Sequence, residues 1–354
     1  MKIIADDKIP FLKGVLEPFA EVIYLPGHRI DNRILQDADA LLVRTRTRCN
    51  EALLRNTGIK FIATATIGYD HIDADFCNSK GIAWTNAPGC NSSSVRQYVA
   101  AALLRISGQF RYRLKNKTLG IVGVGNVGSK VSSLARILEM NVLLNDPPRA
   151  RKEGDEGFAG LEQVLMESDI VTAHVPLNPA GEDSTVNLFN EDCFRMMRKG
   201  TWFINTSRGE VTDTLALKNA LDSGKLMGAV LDVWEKEPDI DTELMEKTFI
   251  STPHIAGYSA DGKANGTSMA VNALCEFFGF PLKDWYPDNV PAPDAPVILV
   301  NCRGKTDEDV MREAVLHTYN IDDDSVRLKQ MPSGFEGQRG DYPLRREFPA
   351  YTVI

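Results

Sequence analysis

The stretch LGIVGVGNVG (119–128) ends an apolar run on three glycines spaced G-x-G-x-x-G, and its reading decides the fold. Leu119–Val122 has the length and apolar character of a buried strand, and the residues after Gly128 take on helical periodicity. In such a turn the first glycine, Gly123, permits the tight bend. The second, Gly125, lets backbone approach a pyrophosphate, and the third, Gly128, lets helix and strand pack closely. The helix start, with Asn126 and Val127, then offers unpaired amides to an anion. A purely structural glycine turn would look the same. What separates the two readings is the next strand, Asn141–Leu144, which leads to Asp146, 18 residues beyond Gly128. A carboxylate there accepts hydrogen bonds from ribose hydroxyls and repels a 2′-phosphate, so the expected cofactor is NAD. Arg149 is the one nearby residue that argues for a 2′-phosphate.

Outward from this stretch, short apolar runs alternate with helical segments, the pattern of an α/β protein with parallel sheets. Upstream, Lys2–Ala5, Val22–Leu25, Ala40–Arg44 and Phe61–Thr64 read as strands, with short helices at Pro10–Phe19 and Glu51–Asn56. Ser92–Gln109 reads as one long helix. Thr118–Val122, Asn141–Leu144, Ile170–Ala173, Thr201–Asn205, Gly228–Val233 and Ile250–Ser251 form a second strand series, and Asp261–Phe278 is helical again. The proline- and aspartate-rich DWYPDNVPAPDAP (284–296) reads as a linker. Beyond it come a strand at Val297–Asn301, an amphipathic helix carrying Val310, Met311, Ala314, Val315 and Tyr319, and two further strand-like runs. The expected architecture is two Rossmann-like, doubly wound parallel-sheet domains plus a small C-terminal α+β module. The boundaries are 1–94 with 258–285, then 95–257, then 286–354. A module of that size supports only a thin core, so it is expected to pack on something else, a second subunit being the candidate.

Composition narrows the function classes. The net charge of -8 argues against a broad nucleic-acid-binding surface. No run approaches the roughly 18 apolar residues of a membrane span, and MKIIADDKIP lacks the apolar centre of a secretory signal. The six cysteines form no C-x-x-C pair, which fits reduced thiols and a cytoplasmic protein without a metal site.

Three residues follow the ends of late strands: Arg208 in INTSRGEV, Glu237 in LDVWEKEP and His254 in STPHIAGY. Ligands of open parallel sheets bind beyond those strand ends. Removing a hydride from a 2-hydroxy acid needs a base for the hydroxyl proton and a cation for the carboxylate. His254 suits the first task, with Glu237 orienting the ring, and Arg208 offers a planar fork for the second. Each alone reads equally well as a structural histidine, a solvated turn glutamate or a loop-closing arginine. Their joint occurrence behind a cofactor fingerprint favours chemistry.

These motifs, spread over residues 40–280, resemble the signatures of the D-isomer-specific 2-hydroxyacid dehydrogenases. The resemblance implies NAD held between two Rossmann-like domains, with Arg208 for substrate, Glu237 as histidine partner and His254 as acid/base. It also implies cofactor contacts from Val175, Thr206, Ser207, Asp232 and Gly257, although Asp232 could equally cap a loop. The loop TATIGYDHID (64–73) resembles the one that receives substrate, with Thr66 and Thr45 adding hydroxyls. Tyr258 matches a substrate-contacting position. NAPGCNSSSV (86–95), DPPRA (146–150) and PSGFEGQRGDYPLRREF (332–348) resemble one branch of the family in particular. That branch acts on a phosphorylated hydroxy acid and forms homodimers through the C-terminal module. The chain ends at Ile354, so an abbreviated dimer module is expected.

Arg44, Arg46 and Arg48 alternate, so an extended chain would point all three to one side, where an anion would relieve their repulsion. Arg44 and Arg46 are the expected phosphate ligands, against a plain charged edge. Arg345 and Arg346 are expected either on the surface or in a partner's cleft. The alternatives left open are another phosphorylated-hydroxy-acid enzyme, such as 3-phosphoglycerate dehydrogenase, and a non-catalytic, NAD-sensing corepressor.

Overall fold

A computed structural model describes all 354 residues. The chain forms two compact units, Met1–Asn91 with Ser259–Ala292 and Ser92–Tyr258 with Pro293–Ile354. In the first, strands β1 (Lys2–Asp6), β2 (Glu21–Leu25), β3 (Ala40–Val43), β4 (Phe61–Thr64) and β5 (Ala83–Thr85) make a parallel sheet in the order β2-β1-β3-β4-β5. β3 and β4 are buried along their whole length, as parallel strands covered on both faces must be. One face packs Ile3, Ala5, Leu42 and Ala63 against Ala270, Val271 and Leu274 of the helix Ala260–Phe278. The strand order reverses between β1 and β3, the switch point at which sheets of this order take ligands.

Two expectations fail in this unit. Pro10–Phe19 forms successive turns and no helix. Phe11 and Gly14 there adopt φ of 62° and 88°, left-handed conformations that a helix cannot absorb. Residues 44–48 are likewise not extended. β3 ends at Val43 and the chain turns at once, Thr47 donating its amide to the Arg44 carbonyl (3.3 Å) and its hydroxyl to that of Gly27 (3.1 Å). The three arginines therefore do not line one face of a strand.

The second unit is built on β6 (Thr118–Val122), β7 (Asn141–Asn145), β8 (Ile170–Ala173), β9 (Thr201–Asn205), β10 (Leu226–Leu231) and β11 (Ile250–Ser251). The order is β7-β6-β8-β9-β10-β11, again all parallel, with its reversal between β6 and β8. The largely buried helix Ser92–Phe110 shares a core with Leu119, Ile121, Trp202 and Val230. After the proline-rich stretch, β12 (Val297–Ile298) and β13 (Thr352–Val353) pair in parallel as a two-stranded sheet. Between them, Asp307–Thr318 packs along Ser92–Phe110, where Glu308 accepts from the Ser107 hydroxyl and the Leu114 amide. Of the two strand-like runs expected after it, only β13 forms; the chain between is helical at Ile321–Gln330 and Phe335–Gly340. Asp322–Asp324 in the first turn and Arg327 and Lys329 in the last complement the helix dipole. All six cysteines are unpaired, and no helix is long and apolar enough to cross a membrane.

Candidate active site

The glycine turn leaves β6 beside the sheet's reversal point, and each glycine is there for a different steric reason. Gly123 has φ 88°, and a Cβ on it would lie 2.6 Å from the His174 carbonyl oxygen and 2.9 Å from Val175 Cγ1. A Cβ on Gly128 would fall 2.0 Å from the Gly123 carbonyl oxygen. Gly125 caps the helix Asn126–Ile137, and a Cβ there would meet nothing within 4 Å. That open space over the first helical turn, at Gly125, Asn126 and Val127, fits a pyrophosphate lying on unpaired amides.

Asp146 sits just past β7. Its Oδ2 accepts from the Val124 amide (2.8 Å) and its Oδ1 from that of Arg149 (3.1 Å), capping the helix Pro147–Glu153. Both bonds fix the carboxylate beside the glycine turn. Arg149 is held elsewhere: Glu153 takes its fork at 2.9 and 2.6 Å, and the Val124 carbonyl accepts a third bond (2.6 Å). The guanidinium is thus committed within the chain.

Beyond β9, Asn205 organises the loop that carries Arg208. Its Oδ1 accepts from the Ser207 amide and hydroxyl (2.9 and 2.8 Å), while its Nδ2 donates to the Arg208 carbonyl (2.9 Å) and the Thr212 hydroxyl (3.1 Å). The half-buried Arg208 donates to the Ser207 carbonyl (2.8 Å). Gly209 presses on the loop after β10, where a Cβ would meet the Trp234 carbonyl carbon at 1.9 Å. The Arg208 and Glu237 loops therefore touch. Thr206 pairs through its hydroxyl with His174 Nδ1 (3.2 Å), whose Nε2 meets the Thr172 hydroxyl (3.0 Å). Burial pushes His174 down to about 3, so it stays neutral and acts as a polar brace.

The fold brings His254 and Glu237 together. His254 Nδ1 lies 2.8 Å from Glu237 Oε2, and Glu237 Oε1 accepts from the Trp234 amide (3.0 Å). Burial raises the Glu237 carboxyl, but the His254 hydrogen bond and charge, the Trp234 amide and Arg339 together hold it below its ordinary value. His254 has φ 57°, a left-handed conformation stabilised by its surroundings. Asp232 supplies them: its carbonyl accepts the His254 amide (2.7 Å), its Oδ1 the Ile255 amide and Thr252 hydroxyl (both 2.7 Å), and its Oδ2 the Ala256 amide (2.9 Å). Tyr98 extends the chain to Thr252 (2.7 Å). Burial alone would push the Asp232 carboxyl up, and it does, against the His254 charge and these donors.

Arg345 does not project freely from the surface. It is half-buried in its own unit, donating to Gln97 Oε1 (3.1 Å), the Ile255 and Ala256 carbonyls (3.3 and 2.7 Å), Ser94 Oγ (3.0 Å) and the Tyr342 hydroxyl (3.1 Å), over the Tyr319 ring. The C-terminal segment also brings Arg339, whose Nε donates to the Tyr258 hydroxyl (3.2 Å) and whose Nη1 lies 3.9 Å from Glu237 Oε2. No local spacing announces either set of contacts, although both residues lie in the 332–348 motif. Asn205 and Asp232 did carry a signal, each being a polar residue closing an apolar strand. Gly257 completes the loop between Ala256 and Tyr258.

In the first unit, Thr45 and Arg46 are exposed in the turn after β3, and Arg44 donates to the Lys8 carbonyl (3.2 Å). All three thus lie at the β1/β3 reversal. Thr66 follows β4, its hydroxyl bonded to Thr64 Oγ1 (2.7 Å) and the Gly68 carbonyl (2.9 Å). His71 Nε2 backs Thr64 at 3.1 Å, with burial pushing that ring down to about 4.

Residues 94–256 match the family model for the NAD-binding domain of D-isomer-specific 2-hydroxyacid dehydrogenases, and residues 292–354 match that of a domain of unknown function. A Bacteroides thetaiotaomicron protein named erythronate-4-phosphate dehydrogenase is 51% identical over 355 residues, all of this chain and 99% of that one. A Porphyromonas gingivalis protein of the same name is 41% identical, over all of this chain and 95% of its own. Among solved structures, D-lactate dehydrogenase from Aquifex aeolicus, complexed with NAD and lactic acid, is 27% identical with a TM-score of 0.65, covering 79% of this chain and 96% of that one.

Proposed function

The chain belongs to the D-isomer-specific 2-hydroxyacid dehydrogenases, in the branch of the erythronate-4-phosphate dehydrogenases, and on that premise we propose that it oxidises 4-phospho-D-erythronate at C2. The product is (R)-3-hydroxy-2-oxo-4-phosphooxybutanoate, on a route to pyridoxal 5′-phosphate. The observation that carries the reading is the His254–Glu237 hydrogen bond at 2.8 Å, in the same unit as the glycine turn. NAD, when bound, would supply the hydride acceptor for C2. His254 Nε2, which makes no hydrogen bond within the chain, takes the C2 hydroxyl proton. Nδ1 keeps its proton for Glu237, so the tautomer that leaves Nε2 basic is the one the carboxylate selects. As the imidazolium forms, Glu237 stabilises it. Arg208 holds the substrate carboxylate and polarises the reacting oxygen. The contacts of Gly123, Gly125, Asn126, Val127, Gly128, Asp146, Val175, Thr206, Ser207, Asp232 and Gly257 with the cofactor belong to the same reading.

Thr45, Thr66 and Tyr258 are assigned to the rest of the substrate, and Arg44 and Arg46 to its phosphate. In support, both arginines flank the reversal point of the first sheet, where a ligand is expected. A panel of hydroxy acids with and without a terminal phosphate tests the assignment, with NADH formation as the readout. Turnover much faster on phosphorylated substrates than on their dephosphorylated analogues is expected. Arg46→Ala raises KM for these and leaves a dephosphorylated analogue unchanged; equal losses on both remove the assignment.

The working unit is assigned as a cytoplasmic homodimer. The two-stranded β12/β13 sheet is marginal alone, and beside it Val297, Leu299, Val353 and Ile354 are 49, 75, 54 and 70% exposed. An apolar patch on an open sheet edge suits a second copy of the same edge.

A further inference from the structure

Arg339 and Arg345 come from the same C-terminal motif, yet their surroundings differ. Arg345 has its guanidinium satisfied on all sides by carbonyl, hydroxyl and amide oxygens of its own unit. Arg339 is also largely enclosed, but its one hydrogen bond to the chain runs from Nε to the Tyr258 hydroxyl, and its guanidinium stands over the Tyr258 ring at 5.9 Å. Its remaining reach is toward Glu237 Oε2, the oxygen that His254 Nδ1 shares. Burying a guanidinium with so few partners is unfavourable unless its charge is used.

We propose that Arg339 is a positioning residue of the reaction: it anchors the Tyr258 hydroxyl and offsets part of the Glu237 charge that His254 works against. The inference rests on the acid–base reading of His254 and Glu237. A carboxylate facing only the imidazole would hold its proton tightly, keeping His254 cationic and unable to accept the substrate's proton. A second cation on Oε2 weakens that hold, so the imidazole is less tightly bound to its proton. The charged and titratable groups facing this cluster are His254 and Arg339 on Glu237, Asp232 on His254, and Tyr258 and Glu336 on Arg339. Of these, Arg339 is the only permanent cation on Glu237. A C-terminal segment that packs beside the acid–base pair thus tunes it.

The test is the pH profile of kcat/KM for oxidation in Arg339→Gln, Arg339→Met and Arg339→Lys, with thermal midpoints and NADH affinity measured alongside. Arg339→Gln and Arg339→Met are expected to move the acidic limb up by about half to one pH unit, a screened share of a full charge interaction. Arg339→Lys restores most of that shift. A loss of activity uniform across pH, or an unmoved limb, overturns the proposal even where activity falls. If the neutral variants do not fold, a wild-type profile in Arg339→Lys supports the charge role, and a limb moved up as far as one unit overturns it. A second arm separates this from failure of the acid–base reading. In Glu237→Gln the charge that Arg339 offsets is gone, so adding Arg339→Gln leaves the limb where the single variant puts it. An additive upward shift overturns the proposal, whereas a limb insensitive to Glu237→Gln itself condemns the acid–base assignment.

Discussion

Replacing Glu237 by Gln keeps the side chain's shape and a hydrogen-bond acceptor but removes its charge. In the native chain Oε2 lies 2.8 Å from His254 Nδ1, with the two side chains 18% and 26% exposed. Unit charges about 4 Å apart interact by about 4 kcal/mol at the effective dielectric suited to such sites. Part of that is lost to solvent here, and a net value of about 1.5–3 kcal/mol for a charge-assisted hydrogen bond is the better guide. At about 1.4 kcal/mol per tenfold, kcat should fall about ten- to a hundredfold. The acidic limb of kcat/KM should move to lower pH, because the cationic ring has lost its partner and stays neutral further into acid. Stability should respond with the opposite pH dependence. Glu237 is held below its ordinary value of 4.5 in the folded chain, so it contributes stability above that pH and loses it as pH falls through the depressed folded value. The thermal midpoint of Glu237→Gln should therefore lie below wild type at neutral pH and converge with it in acid. Steady-state kinetics across pH, paired with thermal melts, measure both effects. An acidic limb that stays put or rises would refute the argument.

Other outcomes follow from the glycine turn, the ribose acid and the open sheet edge. Gly125→Ala should fold normally yet bind NADH about tenfold more weakly, because its methyl enters open space over the amides. Gly128→Ala should lose about 1–3 kcal/mol of stability or more, its Cβ colliding with the Gly123 carbonyl; thermal melts and NADH titration tell the two apart. Asp146→Asn retains the helix cap without the charge, so the NADP-to-NAD ratio of kcat/KM should rise at least about tenfold from the loss of roughly 1.4 kcal/mol of discrimination, and an unchanged ratio counts against the carboxylate. Leu299→Asp should convert a dimer to a monomer in sedimentation experiments without lowering the thermal midpoint of the second unit, and an undisturbed dimer would place the interface elsewhere.

The parts legible in the sequence are those set by local rules. The spacing of Gly123, Gly125 and Gly128 after an apolar strand is a local pattern, and Asp146 falls at a fixed distance along one βαβ unit. That the loops carrying Arg208, Glu237 and His254 meet was legible because parallel sheets put the segments after their strand ends on one rim. What escaped depended on conformation that residue types do not announce. Pro10–Phe19 has helical spacing, but the left-handed Phe11 and Gly14 break it into turns. The arginines at 44–48 alternate as in a strand, yet β3 ends one residue earlier and Thr47 ties the turn to Gly27. In the C-terminal segment the dipole-matched charges of 321–330 were a readable helix signal, obscured by its low apolar content. The pairings of Arg339 with Tyr258 and of Arg345 with Ser94 and Ala256 span long sequence separations, and nothing short of the folded chain brings them together.

The bonds from Arg345 to the Ile255 and Ala256 carbonyls have a consequence for synthesis. Chains emerge from the ribosome N-terminus first, and domains generally fold in that order. The Rossmann sheet can form as soon as β11 is out, but the loop bearing His254 keeps two carbonyls without their cation until Arg345 arrives. A nascent chain that has not yet reached Arg345 therefore holds its glycine turn in place while the loop bearing His254 stays slack.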